Sequence, residues 1–183
     1  MMSPHKARPR LTAFGASRVA EDEPLFHDVR ALAQRIAEQG WNGQTGGHVG
    51  MMAAFSQGMR QGGGDNRGIT LSCFPTPPNH SLSEEIRTAD FFSRMQHLIE
   101  DCDAWLVLPG GLGTLAELSM TWDLLAINML KKRPLILYGA MWQNILPILE
   151  QELMTSVHDI RNDIHLCQTH DEVLHTLNEA THV

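Results

Sequence analysis

The sequence predicts an α/β protein: a doubly wound parallel sheet of Rossmann-like type, in three α/β/α layers. Two observations carry this. Strand-like apolar runs alternate with helix-patterned segments of roughly 10 to 20 residues, and such alternation implies right-handed crossovers and a parallel sheet covered on both faces. Small-residue turns follow the strands at residues 15–17, 46–50 and 110–114. All three therefore fall on the carboxyl edge of the sheet, where folds of this class bind ligands at the topological switch point.

Along the chain, residues 11–16 read as the first strand and 25–39 as a helix. Residues 41–45 are the weakest strand, because Asn42, Gly43 and Gln44 form strands poorly, but helices flank the segment and a glycine turn follows it. A helix is expected over 49–61, and Gly62-Gly63-Gly64-Asp65-Asn66 is a flexible connector. The third strand is expected over 69–74. Residues 74–79, with Pro75, Pro77 and Pro78, cannot be helix interior and should form a rigid loop on the rim of the ligand edge. Residues 82–101 read as helix, 104–108 as strand, 114–130 as helix, 134–138 as strand and 142–154 as helix. Segments at 164–167 and 171–179 close the chain.

A length of 183 residues suits one well-buried domain spanning the chain, with residues 1–10, basic and proline-containing, as a loose tail. A hydrophobic fraction of 43% and a charged fraction of 19% are those of a globular protein, and no apolar run approaches the ~20 residues that span a bilayer. The run at 11–16 is too short for a signal-peptide core. A net charge of -7 offers no general attraction for nucleic acid, so any phosphate site must be local. Cys73, Cys102 and Cys167 form no C-x-x-C pair and read as reduced thiols of a cytoplasmic protein. The ten histidines lack ligand spacing, so no metal is expected.

Chemistry concentrates in the run from Leu108 through Pro109, Gly110, Gly111, Leu112, Gly113 and Thr114 to Glu117. Glycines at a strand-to-helix turn let backbone N–H groups approach an anion, and the helix start adds unpaired donors and the positive end of its dipole. A phosphate is the natural guest. Glu117 is out of place there unless it faces something else, such as a sugar. The plainer alternative is a capping box, since Thr114 and Glu117 have the Ser/Thr-x-x-Glu spacing. Two other segments have the same spacing, Ser81 with Glu84 and Thr169 with Glu172. A Walker loop is excluded, because Gly113 is followed by Thr114 and Leu115 rather than by Lys-Ser/Thr, and residues 46–50 lack full G-x-G-x-x-G spacing.

The string Pro-Gly-Gly-x-Gly-Thr-x-x-Glu resembles the signature of the LOG (Lonely Guy) family, cytokinin riboside 5'-monophosphate phosphoribohydrolases, and of relatives often mislabelled lysine decarboxylases. Thr45-Gly46-Gly47-His48-Val49-Gly50-Met51-Met52 is similar to the family's upstream Gly-Gly-Gly-x-x-Gly-Leu-Met element, and Ala13-Phe14-Gly15-Ala16-Ser17 to its first strand and serine-bearing turn. Arg94, 15 positions before Pro109, matches the family's active-site arginine. The departures lie beside it: Phe91-Phe92-Ser93-Arg94-Met95 stands where members read Met-His-Glu-Arg-Lys, and Ala116 replaces the first of two glutamates.

The resemblance implies a hydrolase cleaving the N-glycosidic bond of nucleoside 5'-monophosphates, without metal or organic cofactor, acting as a homodimer. Breaking that bond passes through an oxocarbenium-like state that calls for a carboxylate near the ribose. Glu117 and Arg94 are the expected catalytic residues; Gly110, Gly111, Gly113, Thr114, Ser17, Gly46 and Gly47 are the expected binding residues. Glu84, Glu85, Asp90 and water are open as proton donors, and His48 reads either as a ligand contact or as an exposed helix-start residue. The site segments hold no lysine for a Schiff base, which argues against a PLP decarboxylase. The rival reading is a non-catalytic nucleotide or cofactor carrier of the same superfold. The helix over 114–130, with Leu118, Met120, Trp122, Leu124, Leu125, Ile127, Met129 and Leu130, is apolar around more of its circumference than one sheet-facing stripe requires, which points to a subunit contact.

Overall fold

The protein was described from a computed structural model over residues 8–75, 81–153 and 164–181. Among these, seven strands form one sheet: β1 (Arg10–Phe14), β2 (Asn42–Thr45), β3 (Asn66–Leu71), β4 (Glu84–Thr88), β5 (Ala104–Val107), β6 (Leu135–Tyr138) and β7 (Ile164–Cys167). Their order is β4-β3-β2-β1-β5-β6-β7, with every neighbouring pair parallel. The sheet grows outward from β1 first on one side and then, from β5, on the other. The carboxyl ends of β1 and β5 thus flank the switch-point crevice.

Helices α1 (Pro24–Glu38), α2 (Met51–Gln61) and α6 (His170–Thr181) cover one face, where Phe26, Val29, Phe55 and Leu177 pack with Leu11, Ala13, Leu106 and Ile136 of the strands. Helices α3 (Phe91–Glu100), α4 (Leu112–Ala126) and α5 (Ala140–Glu152) cover the other, where Leu98, Leu118 and Trp142 meet Phe14, Trp105, Val107 and Leu137. Alternate strand residues serve opposite layers, which explains why β5 (AWLV) and β6 (LILY) are apolar throughout. Burying each large side chain of this kind stabilises the fold by about 1.5–3 kcal/mol. No described helix is long and apolar enough to cross a membrane.

The weak strand β2 lies between β1 and β3, and Gly43 is what admits it. A Cβ there would stand 2.7 Å from Phe55 Cε1 and 2.9 Å from Met59 Cγ, so α2 can close on the sheet only over a glycine. Propensity yields here to packing.

Three expectations are corrected. The third strand spans Asn66–Leu71, earlier than 69–74, because Asn66 pairs with Gly43 and the supposed connector ends before it. The helix expected over 82–101 is a strand followed by a helix. Residues Glu84–Thr88 pair in parallel with β3, and Asp90 then caps α3, its carboxylate accepting from the Phe92 and Ser93 N–H groups at 2.8 and 3.0 Å. The tail also ends sooner than residue 10, since Arg10 opens β1 and the Pro9 carbonyl accepts from the Asn42 N–H. Most of the rim loop expected over 74–79, and Met154 at the end of the expected helix over 142–154, lie outside the described residues.

Candidate active site

Three turns leave the carboxyl ends of β1, β2 and β5, and the backbone joins them. The Ala16 N–H donates to the Pro109 carbonyl at 3.1 Å, and the Met51 N–H donates to the Ala16 carbonyl at 2.8 Å. Gly50 takes a left-handed φ of 70°, and a Cβ on it would stand 2.6 Å from the Ser17 carbonyl carbon, so the glycine turn lies against the serine turn. Ser17 itself is exposed at this junction.

Helix α4 starts at Leu112, two residues before the expected position, with Gly111 as its N-cap and no side chain capping it. This decides the first of the open alternatives. Thr114 and Glu117 are not at the cap and third positions, so the capping box does not form. The first-turn N–H groups have no side-chain partner among the described residues, and a Cβ on Gly111 or Gly113 would meet nothing within 4 Å. The helix start thus presents unpaired backbone donors and open space, the features that suit an anion. Thr114 is buried instead, its hydroxyl against Gly110 so closely that a Cβ on Gly110 would overlap it.

Arg94 enters from α3. Its Nε donates to the Ile69 carbonyl at 2.9 Å and its Nη2 to the Gly46 carbonyl at 3.2 Å, which leaves Nη1 without a hydrogen bond among the described residues. A Cβ on Gly46 would overlap Nη2, so this glycine provides the slot that the guanidinium fills. Gly47, at a φ of 71°, turns the chain above Thr70, its N–H held by Thr45 Oγ1 at 3.1 Å. His48 is exposed.

Glu117 lies on α4 within the electrostatic reach of Arg94, although the two form no direct ion pair. Burial pushes its carboxyl from 4.5 up to about 7, against the downward pull of Arg94. Its carboxyl oxygens accept no hydrogen bond from a described residue. Burial lowers the Arg94 pKa in turn, while Glu117 and Cys73 act to raise it; the guanidinium stays charged. The arrangement is a half-neutralised carboxyl opposed by a fixed cation, beside an uncapped helix start.

The other proton-donor candidates are engaged elsewhere. Glu84 pairs with Arg67 at 2.8 Å, Glu85 accepts from Thr70 and Arg87, and Asp90 caps α3, which holds its carboxyl below the usual range. Among the described residues, no three His, Cys, Asp or Glu side chains converge as metal ligands. The coupling of Gly46 to Arg94 has no signal in the sequence, since no spacing links positions so far apart in the chain. The nearness of Cys73 to Arg94 has none either, because the apolar pattern over 69–74 places Cys73 in a strand, whereas β3 ends at Leu71.

The family described as "Possible lysine decarboxylase" matches residues 52–177, a span that takes in Arg94, the glycine turn after β5 and Glu117. The chain belongs to this family, the LOG family. Among its relatives, the cytokinin riboside 5'-monophosphate phosphoribohydrolase of Mycobacterium tuberculosis is 37% identical over 101 residues, 54% of each chain. The phosphoribohydrolase LOG2 of Arabidopsis thaliana is 30% identical over 133 residues, covering 69% of this chain and 62% of its own. The matches thus span about half to three-fifths of those relatives. Among solved structures, the molybdenum cofactor carrier protein of Chlamydomonas reinhardtii superposes with a TM-score of 0.73 at 17% identity, over 96% of this chain and 99% of its own, which shows the shared fold.

Proposed function

We propose that this LOG family protein is a cytoplasmic hydrolase of nucleoside 5'-monophosphates that releases the free base and ribose 5-phosphate without a metal or organic cofactor. The observation that carries the reading is Glu117: a partly buried carboxyl with no hydrogen-bonding partner among the described residues, near Arg94 and within one and a half turns of an uncapped helix start. A protein that only held phosphate would gain nothing from a carboxylate there, since it repels the dianion.

In this reading the 5'-phosphate takes the N–H groups after Gly111, flanked by Gly110, Gly113 and Ser17, and Arg94 uses its remaining Nη1 edge on the ribose or the base. Glu117, ionised, lies against the sugar as the C1'–N bond breaks and positive charge spreads over C1' and the ring oxygen. Water then adds its hydroxyl to C1', and its proton passes through Glu117 to solvent. The base leaves with one proton taken up, so the sum is one water consumed per bond broken. We also propose a homodimer. Ile127 and Met129, just after α4, are 58% and 70% exposed, an apolar pair that the described residues leave uncovered.

A carrier of nucleotide or cofactor is the second reading. It draws on Phe92, exposed where family members hold a histidine two residues before the arginine. One assay separates the two: purified protein with a panel of nucleoside 5'-monophosphates, nucleosides and triphosphates, scored for free base and ribose 5-phosphate. Release from monophosphates supports the hydrolase. Tight binding without release supports the carrier.

A further inference from the structure

The edge strand β4 carries a side-chain cluster that the proposed reaction does not use. Glu85 and Arg87 lie two residues apart on one face of the strand. Glu85 Oε1 accepts from Thr70 Oγ1 at 2.7 Å and from Arg87 Nη1 at 3.1 Å, and Arg87 Nη2 donates to the Phe74 carbonyl at 3.0 Å. The methyl group of Thr70 lies under the glycine turn, where a Cβ on Gly47 would stand 2.6 Å from it. The chain of contacts therefore runs from the turn bearing Gly46 and Gly47 to the turn that leaves β3. Both ends bear on Arg94: the Gly46 carbonyl accepts from it, and Cys73, next to Phe74, is near enough to act on its charge.

We propose that Glu85 and Arg87 form a latch that positions these two turns near Arg94, and so sets how tightly a nucleoside monophosphate is held without entering the bond-breaking step. The turn after β3 has local support as well, with the Ser72 N–H donating to the Thr88 carbonyl and the Phe74 N–H to that of Leu71, at 2.9 and 3.1 Å. Arg87 adds a hold from outside the turn, and one guanidinium reaches both Glu85 and the Phe74 carbonyl. Lysine, a point charge, cannot bridge the two in this way. The pair is partly exposed, at 36% for Arg87 and 23% for Glu85, so its loss should free the turn and leave the sheet folded. The proposal takes its ligand from the hydrolase reading; the existence of the latch does not depend on it.

The test uses the full chain with Arg87→Met, Glu85→Gln and the conservative Arg87→Lys, and AMP as the probe. Amide hydrogen exchange at Ser72 and Phe74 is expected to quicken by about tenfold in Arg87→Met, with the amides of β1 unchanged. The KM or Kd for AMP should rise roughly fivefold to tenfold while kcat stays within about twofold, and Arg87→Lys should recover part of the loss. Glu85→Gln keeps an acceptor for Thr70 and should give a smaller change of the same sign. Unchanged exchange in Arg87→Met overturns the latch. Faster exchange with unchanged AMP affinity overturns its positioning role. If the wild-type protein neither binds nor cleaves AMP, the hydrolase reading and the positioning role fail together, and the exchange comparison alone shows whether the latch exists.

Discussion

Glu117→Gln separates a catalytic carboxylate from a structural one by the sign of a stability change. The side chain keeps its shape and loses its ionisation. A carboxyl that titrates at about 7 when folded, against 4.5 ordinarily, holds its proton more tightly in the native state. Native stability is therefore unaffected below about pH 4.5, falls as pH rises from there to about 7, and carries the whole penalty above. At 1.36 kcal/mol per factor of ten, that penalty is about 3 kcal/mol as an upper bound, and about 1–3 kcal/mol for a carboxyl with some solvent contact. Glu117→Gln should thus be more stable than the wild type at pH 8, with Tm higher by about 2–4 °C per kcal/mol, and the gain should fade towards pH 4.5. Turnover should fall by roughly 10² to 10⁴ while AMP binding persists. The wild-type kcat/KM should rise with pH through an apparent pKa near 7. A purely structural role predicts the reverse, a loss of up to about 1 kcal/mol with turnover intact. Thermal melts at pH 5 and pH 8 with a base-release assay decide it; a variant less stable at pH 8, or as active as wild type, refutes the reasoning.

Three further outcomes are expected. Gly111→Val adds its side chain where nothing lies within 4 Å, so the melt should stay within about 0.5 kcal/mol, but AMP binding should collapse; equal handling of AMP and adenosine by the wild type would remove the phosphate role from this turn. Gly46→Ala puts a Cβ onto Arg94 Nη2 and should expel the guanidinium, lowering turnover about 10²-fold and stability by about 1–3 kcal/mol, and undiminished activity would show that Arg94 need not sit there. Sedimentation at micromolar concentration should give a dimer that Ile127→Asp with Met129→Asp dissociates, and a monomeric wild type would reject the proposed interface.

The layer order and the ligand edge were legible because they rest on periodicity and on glycine turns, both local properties. The signature around Glu117 was legible as well, but the start of α4 was not: a shift of two residues at Gly111 removes the capping box, and helix starts are weakly encoded to that accuracy. The strand β4 was missed because residues 84–88 carry charges on an edge position, where pairing with β3 rather than an apolar pattern makes the strand. The slot at Gly46 was legible only as a small residue at a turn. What it accommodates comes from a helix that begins 45 residues later, and no one-dimensional pattern connects them.

The same geometry accounts for a carboxylate beside the proposed phosphate site. An ionised Glu117 would repel a bound phosphate, and two features oppose that repulsion. Its pKa near 7 leaves it about half neutral at physiological pH, and Arg94 supplies a cation held in place by the Ile69 and Gly46 carbonyls rather than by Glu117 itself. Had Arg94 closed directly on Glu117 as an ion pair, the carboxyl would have been pulled down and its negative charge spent on the arginine. Because the guanidinium is anchored to backbone, the carboxylate's charge stays available for a positive centre that forms only while the glycosidic bond is breaking. That is the condition under which a charge accelerates a reaction instead of only tightening binding. It makes the anchoring carbonyls as much a part of the proposed chemistry as the two side chains. Any substitution that lets Arg94 swing onto Glu117 should accordingly lower the apparent pKa of the kcat/KM profile as well as its height, a displacement that simple loss of the arginine's charge would produce in the opposite direction.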